Sequence, residues 1–181
     1  MVFNGVVEDS FRSINHLGVV AGTVDSLEIT RLIDTFLPKN RHHHLSHGQV
    51  TKAMILNGLG FVERRLYLYP EFFEGIAVER LLGQGVKREH LTDDTLGRTL
   101  DAIAVYGPTE LFNEIVARCL HHYGEEIQRI HVDTTSFSVH GDYDEEDRTE
   151  EIRITKGHPK DGRWDLNQFI FGMATNQNGI P

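Results

Sequence analysis

Apolar positions in the first 125 residues recur at the three-to-four-residue spacing of amphipathic helices. The run 24–37 puts Leu27, Ile33 and Phe36 on one face, and Pro38 ends it. Further helices are predicted from Ser46 to Leu59, over 69–74, over 78–82, from Thr92 to Asp101 and over 108–123, with Ser46 and Thr92 as N-caps and Gly83 and Gly124 as stops. The pattern therefore predicts an all-helical region.

Beyond Gly124 the apolar period changes from 3.6 to 2, which indicates strands. We predict strands near 127–133, 135–140, 151–155 and 166–175, separated by turns. Short connections favour an antiparallel meander, because parallel neighbours need long crossovers. The fold class is therefore α+β, with a helical region at 1–125 and strands at 126–181. So small an open sheet is expected to begin a larger α/β domain, either truncated or completed by a partner.

The formal charge of −9 over 181 residues opposes a nucleic-acid partner, since phosphate binding normally relies on clustered Lys and Arg. The distribution of the charge softens this objection, because seven of the acids lie between Asp142 and Glu151. That segment is typical of a solvated loop and lacks the spacing of a calcium loop. No stretch approaches the roughly 20 apolar residues of a membrane helix. We expect no membrane association and a cytoplasmic protein, with the single cysteine, Cys119, in a core.

Asp133 places one acidic side chain within a run that alternates like a buried strand. A carboxylate removed from water costs several kcal/mol unless it is paired or binds a metal, so Asp133 is the strongest candidate for chemistry. The plain alternative is an Asp that caps a turn through its own backbone. His131 projects from the same strand face, so a metal-dependent hydrolase centred on His131 and Asp133 is a further hypothesis.

Three segments carry a resemblance to a known family: HGQVTKAMILNGLGF at 47–61, EHLTDDTLGRTLD at 89–101 and IHVDTTSF at 130–137. They resemble the N-terminal half of bacterial insertion-sequence transposases of the DDE type. The resemblance implies a helical DNA-binding and assembly region at 1–125 and the start of an RNase H-like core at 126–181. Asp133 then matches the first of three metal-binding acids, and residues 154–168 are similar to the family's second-to-third strand region.

This resemblance implies DNA transposition with Mg²⁺ or Mn²⁺ as cofactor, transposon ends as the DNA partner and a homo-oligomer associated with the nucleoid. In-line displacement at a phosphodiester uses two cations about 4 Å apart, held by several carboxylates. The family's later acids fall beyond residue 181, and neither Asp161 nor Asp165 is assigned to them. The chain alone is expected to be inactive. A decayed or truncated, non-catalytic DNA-binding or assembly module is the alternative.

DNA contacts are predicted at scattered basic positions and one threonine. These residues are Lys52, Arg64, Arg65, Lys87, Arg88, Thr95, Arg98, Lys156, Lys160 and Arg163. A helix-turn-helix-like element over 76–104 would expose Thr95 and Arg98 on its second helix, although Arg98 can instead pair with Asp94 one turn earlier. The cluster His42, His43, His44 and His47 is interpreted as structural or as an incidental metal binder.

Overall fold

A computed structural model of the chain describes residues 12–39, 43–60, 65–141, 154–157 and 162–181. The chain divides into two compact units, a helical unit at 1–123 and a sheet unit at 124–181. Helices are followed by a small three-stranded antiparallel sheet, which confirms the predicted α+β class.

The helical unit contains seven described α-helices. They are α1 (Leu17–Ser26), α2 (Ile29–Phe36), α3 (His47–Gly58), α4 (Tyr69–Phe72), α5 (Val78–Leu82), α6 (Asp93–Tyr106) and α7 (Pro108–Tyr123). The predicted N-caps are confirmed. The Ser46 hydroxyl accepts from the Gln49 amide while the Gln49 side chain accepts from the Ser46 amide, and Thr92 Oγ1 accepts from the Thr95 amide. Gly83 and Gly124 follow α5 and α7 with positive φ angles of 120° and 64°.

The single helix predicted over 24–37 is wrong, because the chain breaks between α1 and α2. Glu28 adopts a left-handed conformation with φ 54°, and its neighbours Leu27 and Ile29 are both buried. The break leaves the Leu27 carbonyl without a helical partner, and Arg118 Nε donates to it at 3.3 Å while the same guanidinium pairs with Glu28. A contact from α7 thus stabilises a conformation that a glutamate rarely adopts.

Apolar side chains of the helical unit pack into two clusters. The larger cluster is built mainly from α1, α3, α4, α5 and the start of α6, and Leu56, Leu91 and Leu96 in it are fully buried. The smaller cluster surrounds Ile33 of α2 and includes Leu111 of α7, with Cys119 packed against it. Burial raises the pKa of the Cys119 thiol, which agrees with a core role.

The sheet unit contains β1 (Ile130–Val139), β2 (Thr155–Lys156) and β3 (Asn167–Asn176). All pairings are antiparallel, and the order is β1-β3-β2. The meander prediction is wrong, because β3 lies between the two earlier strands. The strands predicted at 127–133 and 135–140 form one continuous β1, since Thr134 pairs with Gly172 without interrupting the ladder. Residues 151–153, which the third predicted strand includes, and the acidic segment 142–151 lie outside the described residues.

Three consecutive amide side chains at the end of β3 tie down the segment that precedes β1. Gln177 Oε1 accepts from the backbone amides of Gln128 and Arg129, at 3.1 and 3.3 Å, and its Nε2 donates to a backbone carbonyl at 2.8 Å. Asn176 and Asn178 both donate to Glu125 Oε2. We call Asn176, Gln177 and Asn178 the amide clamp. It fixes the chain just before the first pair of the β1–β3 ladder, Ile130 with Asn176.

Candidate functional site

Alternation along β1 places His131, Asp133 and Thr135 on one face of the sheet. Their partners in β3 are Thr175, Met173 and Phe171, respectively, and directly opposed residues in an antiparallel pair share a face. All six line a shallow depression of about 280 Å³. The structure therefore gathers an imidazole, a carboxylate and two hydroxyl groups in one open site, which we call the β1 depression.

Asp133 is exposed, contrary to the prediction of a buried strand. The first six residues of β1 are all exposed. The cost of removing a carboxylate from water therefore does not apply to Asp133 here, and the case for chemistry depends on its neighbours in the β1 depression. Its Oδ1 accepts from the Thr134 amide at 2.8 Å, a local bond of the kind expected for a plain structural role. Within the described residues Oδ2 has no hydrogen-bond partner, so none of them blocks a ligand from binding it.

The described residues do not gather around Asp133 the acids that a complete cation cage needs. Across the five described ranges, no three His, Cys, Asp or Glu side chains come together to hold a metal ion. Asp165 is engaged elsewhere, since both its oxygens accept from the Arg163 guanidinium at 2.9 Å. That pairing lowers the pKa of Asp165 to about 2. Asp161 lies outside the described residues.

Half of the predicted DNA-contacting residues that the structure describes have acidic partners, namely Lys52, Arg88, Arg98 and Arg163. Arg98 pairs with Asp94 at 2.8 Å, as the structural alternative predicted, and Arg163 pairs with Asp165. Arg88 pairs with Glu89 at 2.9 Å and lies 3.6 Å from a Glu74 oxygen. The bond to Glu89 raises the pKa of Arg88 and lowers the pKa of Glu89. The net positive charge that these three arginines present is therefore small.

The remaining predicted contacts differ in accessibility. Lys52 is only 4% exposed, and its Nζ donates to Asp25 Oδ1 at 2.6 Å, so we remove it from the predicted DNA-binding set. Thr95 is half-buried, and its hydroxyl contacts the Thr92 cap at 3.0 Å. Three lysine and arginine side chains are exposed, namely Arg65, Lys87 and Lys156. Arg64 and Lys160 lie outside the described residues.

The helix-turn-helix prediction for residues 76–104 is wrong in its geometry. Helix α5 has 5 residues, and the segment 83–92, which contains a short 3-10 turn at Arg88–His90, separates it from α6. A helix-turn-helix joins its helices by a turn of about 3–4 residues. The long connection arises because Val86 and Leu91 are themselves core residues.

Beyond the predicted N-cap at Ser46, the segment 46–49, Ser-His-Gly-Gln, makes contacts between helices that the sequence did not predict. His47 Nδ1 lies 3.0 Å from Thr99 Oγ1, which joins α3 to α6 in a buried contact. The Gly48 amide donates to Asp34 at 2.7 Å, and a Cβ at Gly48 would lie 2.1 Å from the Thr30 carbonyl oxygen. Gln49 Nε2 donates to the Leu82 carbonyl. Four consecutive residues therefore cap α3 and fix it against α2, α5 and α6.

The histidine cluster is divided between separate contacts rather than gathered around one point. His43 meets His47 edge-on at 5.9 Å, and His44 stacks on His90 at 5.2 Å. His42 lies outside the described residues. These contacts agree with the structural interpretation of the described histidines.

Residues 9–117 match the family described as Domain of unknown function (DUF4277), and the chain belongs to this family. The matched region covers most of the helical unit and stops before β1. Neither a curated protein nor a solved structure matches the chain. Within the described parts of the chain, no helix combines the length and apolar character needed to cross a lipid bilayer.

Proposed function

We propose that this chain is the N-terminal part of a DDE-type transposase, in which Asp133 is the first metal-binding acid. The observation that carries the proposal is the position of Asp133, exposed at the centre of β1 with Oδ2 open to a ligand. The order of the chain, helices first and then an antiparallel sheet, agrees with the arrangement that the resemblance implies. The family match supplies no activity, so the proposal rests on this site and on the resembling segments.

In the proposed reaction water hydrolyses a DNA phosphodiester to leave a free 3′-hydroxyl, and that oxygen then attacks a phosphodiester of the target DNA and displaces its 3′-oxygen as the leaving group. Divalent cations, Mg²⁺ or Mn²⁺, would activate the attacking oxygen and stabilise the leaving one. The open Oδ2 of Asp133 fits one ligand position of such a cation, and its Oδ1 is oriented by the Thr134 amide. As the resemblance implies, we propose that the remaining carboxylates belong to a longer protein and that residues 1–181 alone do not cut DNA.

For DNA contact we propose Arg65, Lys87 and Lys156 as the first phosphate-binding residues, because their side chains are exposed. Arg88, Arg98 and Arg163 remain in the proposed set but would first have to exchange a carboxylate for a phosphate. The proposed location is the bacterial cytoplasm, at the nucleoid when DNA is bound. We also propose self-association, for which β1 offers a 10-residue edge that no other described strand covers.

The direct test is DNA binding by the 181-residue chain without divalent cations. The probes are duplexes from the two flanks of its gene and an unrelated duplex of equal length. We expect preferential, salt-sensitive binding to the flanks, and each phosphate contact removed by Arg65→Ala or Lys87→Ala should lower the salt slope by about 0.9. Arg31→Ala is the matched control, because Arg31 pairs with Glu28 and is outside the proposed set. Equal binding of both duplexes, or none, would overturn end recognition.

Two other functions have specific support. A non-catalytic DNA-binding or assembly module is favoured by the self-contained core of the helical unit, and it predicts the same DNA binding with no further acids encoded downstream. Sequencing the gene beyond codon 181 separates it from the transposase. A metal-dependent hydrolase is favoured by the shared position of His131 and Asp133 in the β1 depression, and it predicts no preference for the gene's flanks.

A further inference from the structure

We infer that His131 is a second metal ligand beside Asp133, and that it makes the β1 depression prefer a divalent transition ion such as Mn²⁺ over Mg²⁺. The inference rests on the proposed function and deepens it, since it concerns the metal at the same site. It assigns a role to a histidine that the carboxylate chemistry does not need.

The first argument is geometric. His131 and Asp133 are two residues apart on one strand face, which corresponds to about 6.6 Å along the strand. Metal–donor bonds are about 2.1 Å long, so an ion between the two side chains can reach a ring nitrogen on one side and a carboxylate oxygen on the other. Within the described residues neither the His131 ring nor Asp133 Oδ2 has a hydrogen bond or ion pair that would compete with the ion.

The second argument concerns space and solvent. Liquid water occupies about 30 Å³ per molecule. The depression of about 280 Å³ therefore has room for an ion that keeps several of its waters. The hydroxyl groups of Thr135 and Thr175 lie on the same face and can hydrogen-bond to those waters. Two protein ligands and several retained waters describe a weak site.

The third argument is the chemistry of the donors. Mg²⁺ takes oxygen ligands and gives up its waters reluctantly, whereas imidazole is a good ligand for first-row transition ions. A site with Asp133 alone would treat Mn²⁺ and Mg²⁺ nearly alike. Adding the imidazole of His131 strengthens only the binding of the transition ion. The preference between the two ions is thus determined at His131, and the presence of any ion is determined at Asp133.

The test uses the full 181-residue chain and Mn²⁺ itself as the probe. Free Mn²⁺ is counted by electron paramagnetic resonance, and Mg²⁺ binding is measured by competition against Mn²⁺. NMR locates the ion by broadening of nearby signals. We expect the amide signals of 131–135 and the His131 ring signals to broaden first. His131→Phe should weaken Mn²⁺ binding at least about tenfold, the lower end of what loss of a supporting group costs a metal site, and change Mg²⁺ binding less than about twofold.

His140→Phe is the matched control, because this histidine follows β1 directly and lies outside the depression. It should leave both affinities unchanged, whereas Asp133→Asn should abolish both. Two results would overturn the inference. One is unchanged Mn²⁺ affinity in His131→Phe, and the other is broadening confined to histidines elsewhere in the chain. Neither result affects DNA binding measured without cations, so the proposed function is tested separately from the identity of the ligand.

Discussion

The helical unit and the sheet unit obtain their order from different interactions. In the helical unit Ile33, Leu56, Leu91 and Leu96 are 0% exposed, whereas in the sheet unit Ile170 is 75% exposed. The buried residues described in the sheet unit are two amides, Gln168 and Asn176. The helical unit is therefore stabilised by apolar burial, and the sheet unit by its backbone ladder and the amide clamp. The residues with candidate chemistry lie in the unit that apolar packing stabilises least.

The largest expected effect is a difference in stability loss when one apolar side chain is truncated in the helical unit and one in the sheet unit. Leu56→Ala should cost the helical unit about 2–5 kcal/mol of unfolding free energy, because it leaves a cavity in a closed core. Ile170→Ala should change stability by less than about 0.5 kcal/mol, because its side chain already contacts water. Denaturant unfolding is followed by helical circular dichroism and by fluorescence of Trp164, the only tryptophan, which lies in the sheet unit.

The same experiment tests whether the units unfold separately. We expect the Trp164 signal to change at lower denaturant than the helical signal, since the described part of the three-stranded sheet buries few side chains and such a sheet is marginal by itself. Coincident transitions for both probes, together with similar losses in the two alanine variants, would contradict the contrast between the units.

A smaller effect is expected at the contact between α2 and α3. Gly48→Ala places a methyl group 2.1 Å from the Thr30 carbonyl oxygen and 2.9 Å from Asp34 Oδ1, so the helices must separate. We expect a loss of about 1–3 kcal/mol. Gly97→Ala in α6 is the control, because no atom lies within 4 Å of its added Cβ, and it should stabilise the helix by about 0.5–1 kcal/mol. Equal behaviour of both variants in thermal unfolding would show that the close approach does not matter.

The smallest effect is a pH dependence of the helical unit at His47. Burial lowers the pKa of His47, nearby His43 lowers it further, and Asp34 opposes the shift. The unfolded chain then binds a proton near pH 6.5 that the folded chain does not bind, so stability should fall as pH decreases from about 6.5 to the lower folded pKa, and then level off. His47→Phe should flatten this part of the profile of unfolding free energy against pH. An unchanged slope would assign the dependence to other groups, and His121→Gln is the exposed control.

Local signals made much of the helical unit predictable. Ser46 and Thr92 cap helices through atoms three residues away, and Gly83 and Gly124 permit positive φ angles, so the necessary information lies within a few residues. The break at Glu28 was missed because Arg118, 90 residues later, completes it. Lys52 was mistaken for a surface residue for the same reason, since Asp25 is 27 residues earlier.

The sequence predicted that the residues of the candidate site share one strand face, but not whether that face is buried or exposed. Alternation correctly placed His131 and Asp133 together, because side-chain direction in a strand follows sequence parity. Alternation cannot tell whether anything covers that face, so the prediction that Asp133 is buried failed. The strand order could not be predicted from the sequence either. Neighbours along the chain were expected to pair, whereas β3 pairs with both β1 and β2.

The amide clamp has a consequence for the register of the β1–β3 ladder. Pairing starts at Ile130 with Asn176, directly beside the clamp, and every later pair inherits that starting point. A shift of β1 by one residue relative to β3 would turn every β1 side chain to the opposite face of the sheet. Val132 rather than Asp133 would then lie beside Met173. The Gln177 side chain therefore helps to set the register of the β1–β3 pairing. It touches neither the carboxylate nor the imidazole, yet it determines which face of the sheet presents both of them.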